Sequence, residues 1–205
     1  MNTDHSAYRP LILGIGGTTR AGSSSENALV TCLRAAERNG ARTAIIAGPG
    51  LVLPMYAPEN PVRSHSALRL VALFKECDGL IISSPSYHGS MPGLLKNALD
   101  YTEDLRSDKA RTYLDGCAAG LISCGAGWQG AGQTLVTLRS IAHSLRAWPT
   151  PLGVMINSSN PIFDQDGLCV DASVRQQLEL VAWQVVEFAK MRFRCKREVG
   201  TADSA

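Results

Sequence analysis

The segment from residue 80 to residue 101 restricts the fold more than any other part of the sequence. Its opening run, Leu80-Ile81-Ile82, is typical of a β-strand buried on both faces. Its closing part repeats apolar side chains at helical spacing, at Leu94, Leu95, Ala98 and Leu99. In between, Pro85 and Pro92 stiffen the backbone, and Gly89 lets it approach another group closely. A strand, a short stiff loop and a helix form half of a βαβ unit, and ligands of open α/β sheets bind at such loops.

The alternation of strand and helix continues along the rest of the chain. Strands are predicted over residues 11–16, 42–47, 117–123 and 152–156 in addition to the one that starts at residue 80. A helix is predicted after each strand, and the last helix begins at an Asp171 cap. Five strands alternating with five helices predict an α/β fold, a doubly wound parallel sheet between two helix layers. The strand count favours the flavodoxin-like order 2-1-3-4-5, which places the loops after strands 1, 3 and 4 side by side.

Length and charge limit the domain organisation and the classes of partner. The 205 residues predict one domain over residues 10–191, with disordered polar tails at 1–9 and 194–205. A net charge of +2, with basic and acidic residues intermixed, argues against nucleic-acid binding. No apolar run is long enough to span a membrane, and the first residues do not resemble a signal peptide. We therefore expect a cytoplasmic protein without a membrane partner.

The six cysteines form no C-x-x-C pair, so their local spacing indicates neither a zinc site nor a dithiol redox motif. Most are expected to be small buried hydrophobic residues in a reducing compartment. Cys117 and Cys124 fall on one predicted strand, and their odd separation of seven residues points them to opposite faces of the sheet.

The loop after the first strand has the composition of an anion site. Gly16, Gly17 and Arg20 are followed by the start of a helix, and hydroxyl side chains recur at Thr18, Thr19, Ser23, Ser24 and Ser25. Backbone N–H groups at a helix N-terminus, with hydroxyls and an arginine fork, suit a phosphate. The dinucleotide fingerprint lacks its third glycine, and no G-K-[ST] motif is present. A simple helix cap with incidental hydroxyls is the alternative.

The loop after the third strand does not have the composition of a phosphate site. The stiff backbone from Pro85 to Gly89, with Tyr87 and His88, suits the edge of a planar heteroaromatic ring. The small residues of the fourth-strand loop, Gly125, Ala126 and Gly127, expose backbone N–H groups, and Trp128 follows them. A phosphate pocket beside a pocket for a planar ring, where the winding of the sheet reverses, indicates flavin mononucleotide (FMN).

With these motifs, the chain resembles the NADPH-dependent FMN reductase family of the flavodoxin-like superfold, over about residues 10–190. Residues 17–23 are similar to the family's Gly-Ser-x-Arg-x-x-Ser pattern, with Thr18 keeping the hydroxyl of the usual serine. Residues 85–100 are similar to its Pro-x-Tyr-x-Gly-Ser-x-Pro-Gly-x-x-Lys-Asn-x-x-Asp pattern. Ser86 and His88 stand where many members carry Glu and Asn.

The resemblance implies an NAD(P)H-dependent flavoprotein oxidoreductase with FMN as cofactor and NADPH or NADH as co-substrate. Electrons would pass to free flavin, a quinone or another small oxidant, or flavin would be supplied to a monooxygenase. A homodimer is implied, with a tetramer as an option. The alternatives are a flavodoxin-like electron carrier, against which the charge of +2 argues, and a flavin-binding protein without turnover.

The resemblance also implies which residues form the site. The phosphate would be held by Thr18, Arg20, Ser23, Ser25 and Asn27. The ring would be lined by Pro85, Ser86, Tyr87, His88 and Gly89, and bordered on its other side by Gly125, Ala126, Gly127 and Trp128. No metal ligands and no catalytic side chain are expected, because the flavin carries the chemistry.

Overall fold

A computed structural model describes residues 8–202 of the chain, and their side chains up to residue 198. The sheet consists of β1 (Leu11–Gly16), β2 (Arg42–Ile46), β3 (Gly79–Pro85), β4 (Ala118–Gly125), β5 (Trp148–Pro149) and β6 (Val154–Asn157). The strand order is β2-β1-β3-β4-β5, with β6 also pairing with β4, and each of these pairs is parallel. The predicted order 2-1-3-4-5 is confirmed.

The fifth position of the sheet differs from the prediction of one strand over residues 152–156. Two short strands occupy it: β5 pairs with Ala118 and Ala119 of β4, and β6 pairs further along β4 from Ile122 onward. Pro149 ends β5, and Pro151 stands between the two strands. Because proline has no N–H to donate to a ladder, it interrupts the pairing there.

Helices cover both faces of the sheet, as predicted for a three-layer fold. They are α1 (Ser24–Arg38), α2 (His65–Glu76), α3 (Gly93–Asp100), α4 (Trp128–Ser144) and α5 (Ala172–Ala202), with 3₁₀ turns at Gly48–Leu51 and Tyr101–Leu105. Helices α1 and α5 pack on one face, and α2, α3 and α4 pack on the other. Cys117 and Cys124 lie in the cores of opposite faces, as their spacing predicted. None of the helices over residues 8–202 has the length and apolar content that crossing a bilayer requires.

The structure places helix and side-chain contacts within parts of both tails that were predicted to be disordered. Helix α5 continues to Ala202 instead of ending near residue 194. The ring of Tyr8 stacks on Phe193 with 3.7 Å between centroids, and Arg9 Nη2 donates to the carbonyl of Ala41 at 3.1 Å. The arginine, lysine and glutamate residues at 194–198 are good helix formers, which explains why a polar segment extends the helix. Residues 1–7 and 203–205 lie outside the described part.

An ion pair at Asp108 predicts how the fold responds to acid. Lys75 Nζ lies 2.7 Å from Asp108 Oδ2, and the N–H groups of Ala110 and Arg111 donate to Oδ1 at 2.8 and 3.0 Å. Lys75 first, and then these N–H groups, lower the pKa of Asp108 from 3.8 to about 2. A carboxyl whose pKa is lower in the folded state stabilises the fold above its unfolded pKa. This contribution is lost as the pH falls from about 4 to about 2.

The variant Asp108→Asn is therefore expected to be less stable than the wild type at neutral pH. It should also lose less stability between about pH 4 and pH 2, because it has no proton to take up at this position. Thermal unfolding followed by circular dichroism across this range measures both effects. Parallel curves of melting temperature against pH for the two proteins would contradict the assignment.

Candidate functional site

The loop after β1 is in direct contact with the carboxyl end of β3, where the second loop begins. The N–H of Gly17 donates to the carbonyl of Ser83 at 2.9 Å. A Cβ atom placed on Gly17 would lie only 2.8 Å from Cδ of Pro85. Only glycine at position 17 allows this approach, so the fold brings together the two loops that carry the sequence motifs.

A cavity of ≈ 220 Å³ lies between these loops and the end of β4. Predicted site residues that line it are Thr18, Arg20, Ser23, Ser25, Pro85, Ser86, Tyr87, Gly125 and Ala126. Its lining also includes Ser24, Cys124 and Ser158, which the sequence analysis did not select for binding. Ser24 belonged to the recognised hydroxyl run, but Cys124 looked like a core residue, and Ser158 lies beyond the strand predicted over residues 152–156. The other predicted residues, namely Asn27, His88, Gly89, Gly127 and Trp128, do not line this cavity.

The first turn of α1 forms one end of the cavity. Ser23 is the N-cap, and its Oγ accepts the N–H of Glu26 at 3.3 Å. Glu26 in turn accepts the N–H of Gly22 through Oε2 at 2.8 Å, so both side chains satisfy backbone N–H groups at the start of the helix. The capping interpretation of this loop is therefore correct for Ser23. It does not compete with anion binding, because Ser23 also lines the cavity.

Unpaired donors remain beside this cap. Among residues 8–202, no acceptor takes the N–H of Ser24 or of Ser25. The Ser25 side chain is buried with its Oγ 3.3 Å from Ser23 Oγ, and Ser83 Oγ donates to the Ser25 carbonyl at 2.7 Å, which fixes this turn. Together with Arg20 and the positive end of the helix dipole, these groups form a site for an anion.

The loop after β3 is a tight hairpin turn. Tyr87 and Ser90 exchange two backbone hydrogen bonds of 2.8 and 3.1 Å, and the two residues between them have positive φ, 53° at His88 and 79° at Gly89. This geometry is a type I′ turn, in which asparagine followed by glycine is the preferred pair. The turn carries His88 and Gly89 away from the cavity, which explains why only the first half of the motif lines it.

Two variants of His88 separate a role in the turn from a role in binding. His88→Asn is expected to keep or slightly raise stability, because asparagine tolerates positive φ. His88→Val is expected to cost about 1–2 kcal/mol, because a β-branched residue does not. Urea unfolding measures the difference, and FMN titration should give equal affinities for His88→Asn and the wild type. A large loss of affinity in His88→Asn would contradict this assignment of His88 to the turn.

Ser86 is held on three sides at the wall of the cavity. Its N–H donates to the carbonyl of Cys124 at 2.7 Å, and its Oγ accepts from Oγ1 of the buried Thr134 at 2.9 Å. Cβ atoms built on Gly125 and Gly130 would lie 3.2 Å from its Cβ and 3.0 Å from its Oγ. The hydroxyl is therefore fixed in place. Thr134 was missed because nothing in the sequence connects it to a residue 48 positions away.

The predicted loop after β4 is shorter in the structure. Strand β4 extends to Gly125, and α4 begins at Trp128, so Gly127 is its N-cap. Gly125 pairs with Asn157 in the sheet, and Ser158 donates its N–H to the Gly125 carbonyl at 2.8 Å. Only Gly125 and Ala126 of this loop reach the cavity, and the side chain of Trp128 is 57% exposed outside it.

Asn27 supports the β1 loop from outside the cavity. Its Nδ2 donates to the carbonyl of Gly22 at 3.3 Å. Its side chain also packs against Gly167, where an added Cβ would lie 2.8 Å from Asn27 Oδ1. A direct contact of Asn27 with phosphate stays a prediction.

Comparison with known proteins identifies the family of the chain. The sequence family described as NADPH-dependent FMN reductase matches residues 10–161. The NAD(P)H-dependent FMN reductase of Pseudomonas aeruginosa is 28% identical over 174 residues, which cover 82% of this chain and 89% of that protein. The NADPH azoreductase of Bacillus sp. (strain OY1-2) is 44% identical over 50 residues. These residues cover 24% of this chain and 28% of that enzyme.

A solved structure supports the same fold. The flavoenzyme NAD(P)H:(acceptor) oxidoreductase FerB from Paracoccus denitrificans superposes with a TM-score of 0.73 at 19% identity, covering 89% of this chain and 98% of FerB. The strand order is that of flavodoxin-like folds, whose FMN binds at the β1/β3 switch point. Because the family match covers most of the chain and the cavity lies at that switch point, the chain belongs to the NADPH-dependent FMN reductase family of flavin-dependent oxidoreductases.

Proposed function

We propose that the cavity between β1, β3 and β4 holds FMN and that the protein uses NAD(P)H to reduce a small planar acceptor. The observation that carries this proposal is the presence, in one cavity, of an anion site and a wall with a proline and an aromatic side chain. The unpaired N–H groups of Ser24 and Ser25 and the side chain of Arg20 lie at one end, and Pro85 and Tyr87 form the wall.

The donor set fits the phosphate of FMN. A phosphate dianion needs several donors, and this end of the cavity offers two free backbone N–H groups, the hydroxyls of Thr18 and Ser25, and a guanidinium. Arg20 is exposed, which leaves its side chain free to close over a bound anion. No lysine lines the cavity, so Arg20 is its basic residue.

The residues of the cavity would position the cofactor. Bound FMN would supply the redox chemistry between NAD(P)H and the acceptor. Pro85 and Tyr87 would orient the ring, and Ser86 would present a fixed hydroxyl beside it. Gly125 and Ala126 leave room on the other side, because they carry no side chain or only a methyl group.

The surroundings of the cavity support a planar acceptor. Tyr87 lines it and is 53% exposed, and Trp128, which starts α4 two residues after Ala126, is 57% exposed. Exposed aromatic side chains beside a cofactor site provide faces on which a flat molecule can stack. Free flavin, a quinone or an azo compound fits this requirement. Reduced flavin released in this way would also serve a flavin-dependent monooxygenase.

Turnover with defined acceptors tests the proposed function. Purified protein with added FMN should oxidise NADPH or NADH continuously when a quinone, an azo dye or excess FMN is present. Ferricyanide is the matched control, because it accepts electrons but is not flat. Failure to oxidise either nicotinamide in the presence of FMN would contradict the reductase function. Oxidation of NADPH or NADH with ferricyanide, but with none of the flat acceptors, would contradict only the proposal that the acceptor is planar.

An exposed apolar segment supports a homodimer as part of the same proposal. Val52, Met55 and Val62 lie between β2 and α2 and are 63%, 80% and 77% exposed. The hydrogen bonds from Asn97 and Tyr101 to the Pro54 carbonyl hold the segment in a fixed shape. Light scattering should give twice the monomer mass of 21.9 kDa. The monomer mass at micromolar concentration would contradict the dimer, and four times that mass would indicate the tetramer.

The unpaired cysteines support a reducing compartment, for which we propose the cytoplasm. Cys32, Cys77, Cys117, Cys124, Cys169 and Cys195 are all free thiols.

A further inference from the structure

A second cavity lies at the opposite end of the sheet from the proposed FMN site. It has a volume of ≈ 270 Å³, and its lining includes Asp78 and Gly116, which stand just before β3 and β4. Three cationic side chains also line it: Arg111, Arg192 and Lys196. Nothing in the proposed reductase function uses this end of the molecule.

Two buried cysteines meet behind the wall of this cavity. Cys77 ends α2 and Cys117 precedes β4, and both are fully buried. The parallel register of Gly79 with Ala118 brings the two cysteines alongside each other, and Cys117 Sγ donates to the carbonyl of Cys77 at 3.4 Å. The sequence analysis found no dithiol motif, because these residues are 40 positions apart and meet only through strand pairing.

Arg111 connects this thiol pair to the cavity. Its Nη1 lies 3.1 Å from Cys117 Sγ and donates to the Cys77 carbonyl at 2.6 Å, while its Nη2 donates to the carbonyl of Phe74. Its Nε is buried and meets no acceptor among residues 8–198. One guanidinium therefore holds the backbone at Cys77, contacts the sulfur of Cys117 and keeps a donor unused.

These contacts divide the two thiols into a nucleophile and a partner. Interaction with the Cys77 side chain lowers the pKa of Cys117, and the charge of Arg111 adds to this effect against the opposing effects of burial and Asp78. The same interaction, with burial, raises the pKa of Cys77 well above its usual value. Cys117, whose sulfur contacts Arg111, is therefore the more acidic of the two thiols.

We propose that Cys77 and Cys117 form a second redox site, a dithiol that a hydroperoxide oxidises to a disulfide. The Cys117 thiolate attacks one oxygen of the peroxide, the O–O bond breaks, and the leaving hydroxide or alkoxide takes up a proton. Cys77 sulfur then attacks the sulfenic sulfur of Cys117, and the sulfenic oxygen leaves as water with the Cys77 proton. Two thiols lose two electrons, and the peroxide gains them.

The other described cysteines lack this arrangement. Burial raises the pKa of Cys32, and it raises that of Cys124 to about 12. No arginine or lysine is hydrogen-bonded to either thiol. Cys195 is exposed, so it provides an internal reference for the reactivity of an ordinary surface thiol.

Peroxide titration of the full chain tests the proposal. The protein is treated with one equivalent of hydrogen peroxide, free thiols are blocked, and peptides are analysed by mass spectrometry without reduction. The expected product is a Cys77–Cys117 linked peptide with two hydrogens fewer than the two separate peptides. It should also form in Cys195→Ser. Oxidation at Cys195 while Cys77 and Cys117 stay reduced would overturn the proposal.

Two variants separate the roles of the residues. Cys77→Ser should trap the sulfenic acid on Cys117, which dimedone labels, because the partner thiol is missing. Arg111→Lys should slow disulfide formation about three- to tenfold, since a higher thiol pKa reduces the thiolate fraction but raises its intrinsic nucleophilicity. Absence of dimedone label on Cys117 in folded Cys77→Ser, judged by its circular dichroism, would overturn the assignment of Cys117 as nucleophile.

Discussion

Arg20→Ala is expected to weaken FMN binding about 10- to 100-fold. Hydrogen bonds to charged groups are worth about 1.5–3 kcal/mol, and each 1.4 kcal/mol changes a dissociation constant about tenfold. Arg20 is the basic side chain in the lining of the proposed FMN cavity, next to the unpaired N–H groups of the first turn of α1. Isothermal titration with FMN measures the change in affinity.

Two controls make this test specific for the phosphate. Arg34→Ala removes the same charge from an exposed position on α1 that does not line the cavity, so its FMN affinity should match that of the wild type. Riboflavin has the same ring but no phosphate, so Arg20→Ala should bind it as the wild type does. Equal losses for FMN and riboflavin would show that Arg20 acts on the ring or on the fold instead.

Gly17→Ala is expected to lower the free energy of unfolding by about 1–3 kcal/mol and to weaken FMN binding about tenfold. The added Cβ would lie 2.8 Å from Cδ of Pro85 and 3.3 Å from the Ser83 carbonyl. A proline ring and a carbonyl cannot rotate away, so the β1 and β3 loops must separate. These loops form the two halves of the proposed binding cavity.

Gly93→Ala is the matched control for this substitution. It adds the same atom at the start of α3, where an added Cβ meets nothing within 4 Å. Its stability should equal or slightly exceed that of the wild type, because alanine favours a helix over glycine. FMN titration and urea unfolding of both variants measure the effects. Equal behaviour of Gly17→Ala and Gly93→Ala would contradict the proposed packing of the two loops.

Local periodicity carried enough information to predict the architecture. The buried strands read as continuous apolar runs, and the helices repeat apolar residues at i, i+3 and i+4, so element type and strand order followed. The split of the fifth strand was missed because Pro149 and Pro151 interrupt strand pairing only where a neighbouring strand needs their N–H. The sequence does not show which strand lies beside them. The ordered end of α5 was missed because a polar composition suits both an exposed helix and a disordered tail.

The site was predictable where one contiguous motif carries it. Thr18, Arg20, Pro85 and Tyr87 line the cavity because each lies at the end of a strand or just after it. The rest depends on contacts between distant residues. The turn that carries His88 away, the support of Ser86 by Thr134 and the Cys77–Cys117 contact follow from strand pairing and helix packing. No local spacing records these contacts.

A crystal structure of the protein with FMN tests the central claim most directly. We expect the phosphate within hydrogen-bonding distance of the Ser24 and Ser25 N–H groups and of Arg20, with the ring against Pro85 and Tyr87. The same structure shows whether Ser86 hydrogen-bonds the ring. An FMN phosphate bound elsewhere, for example at Arg111 and Arg192 in the second cavity, would contradict the account.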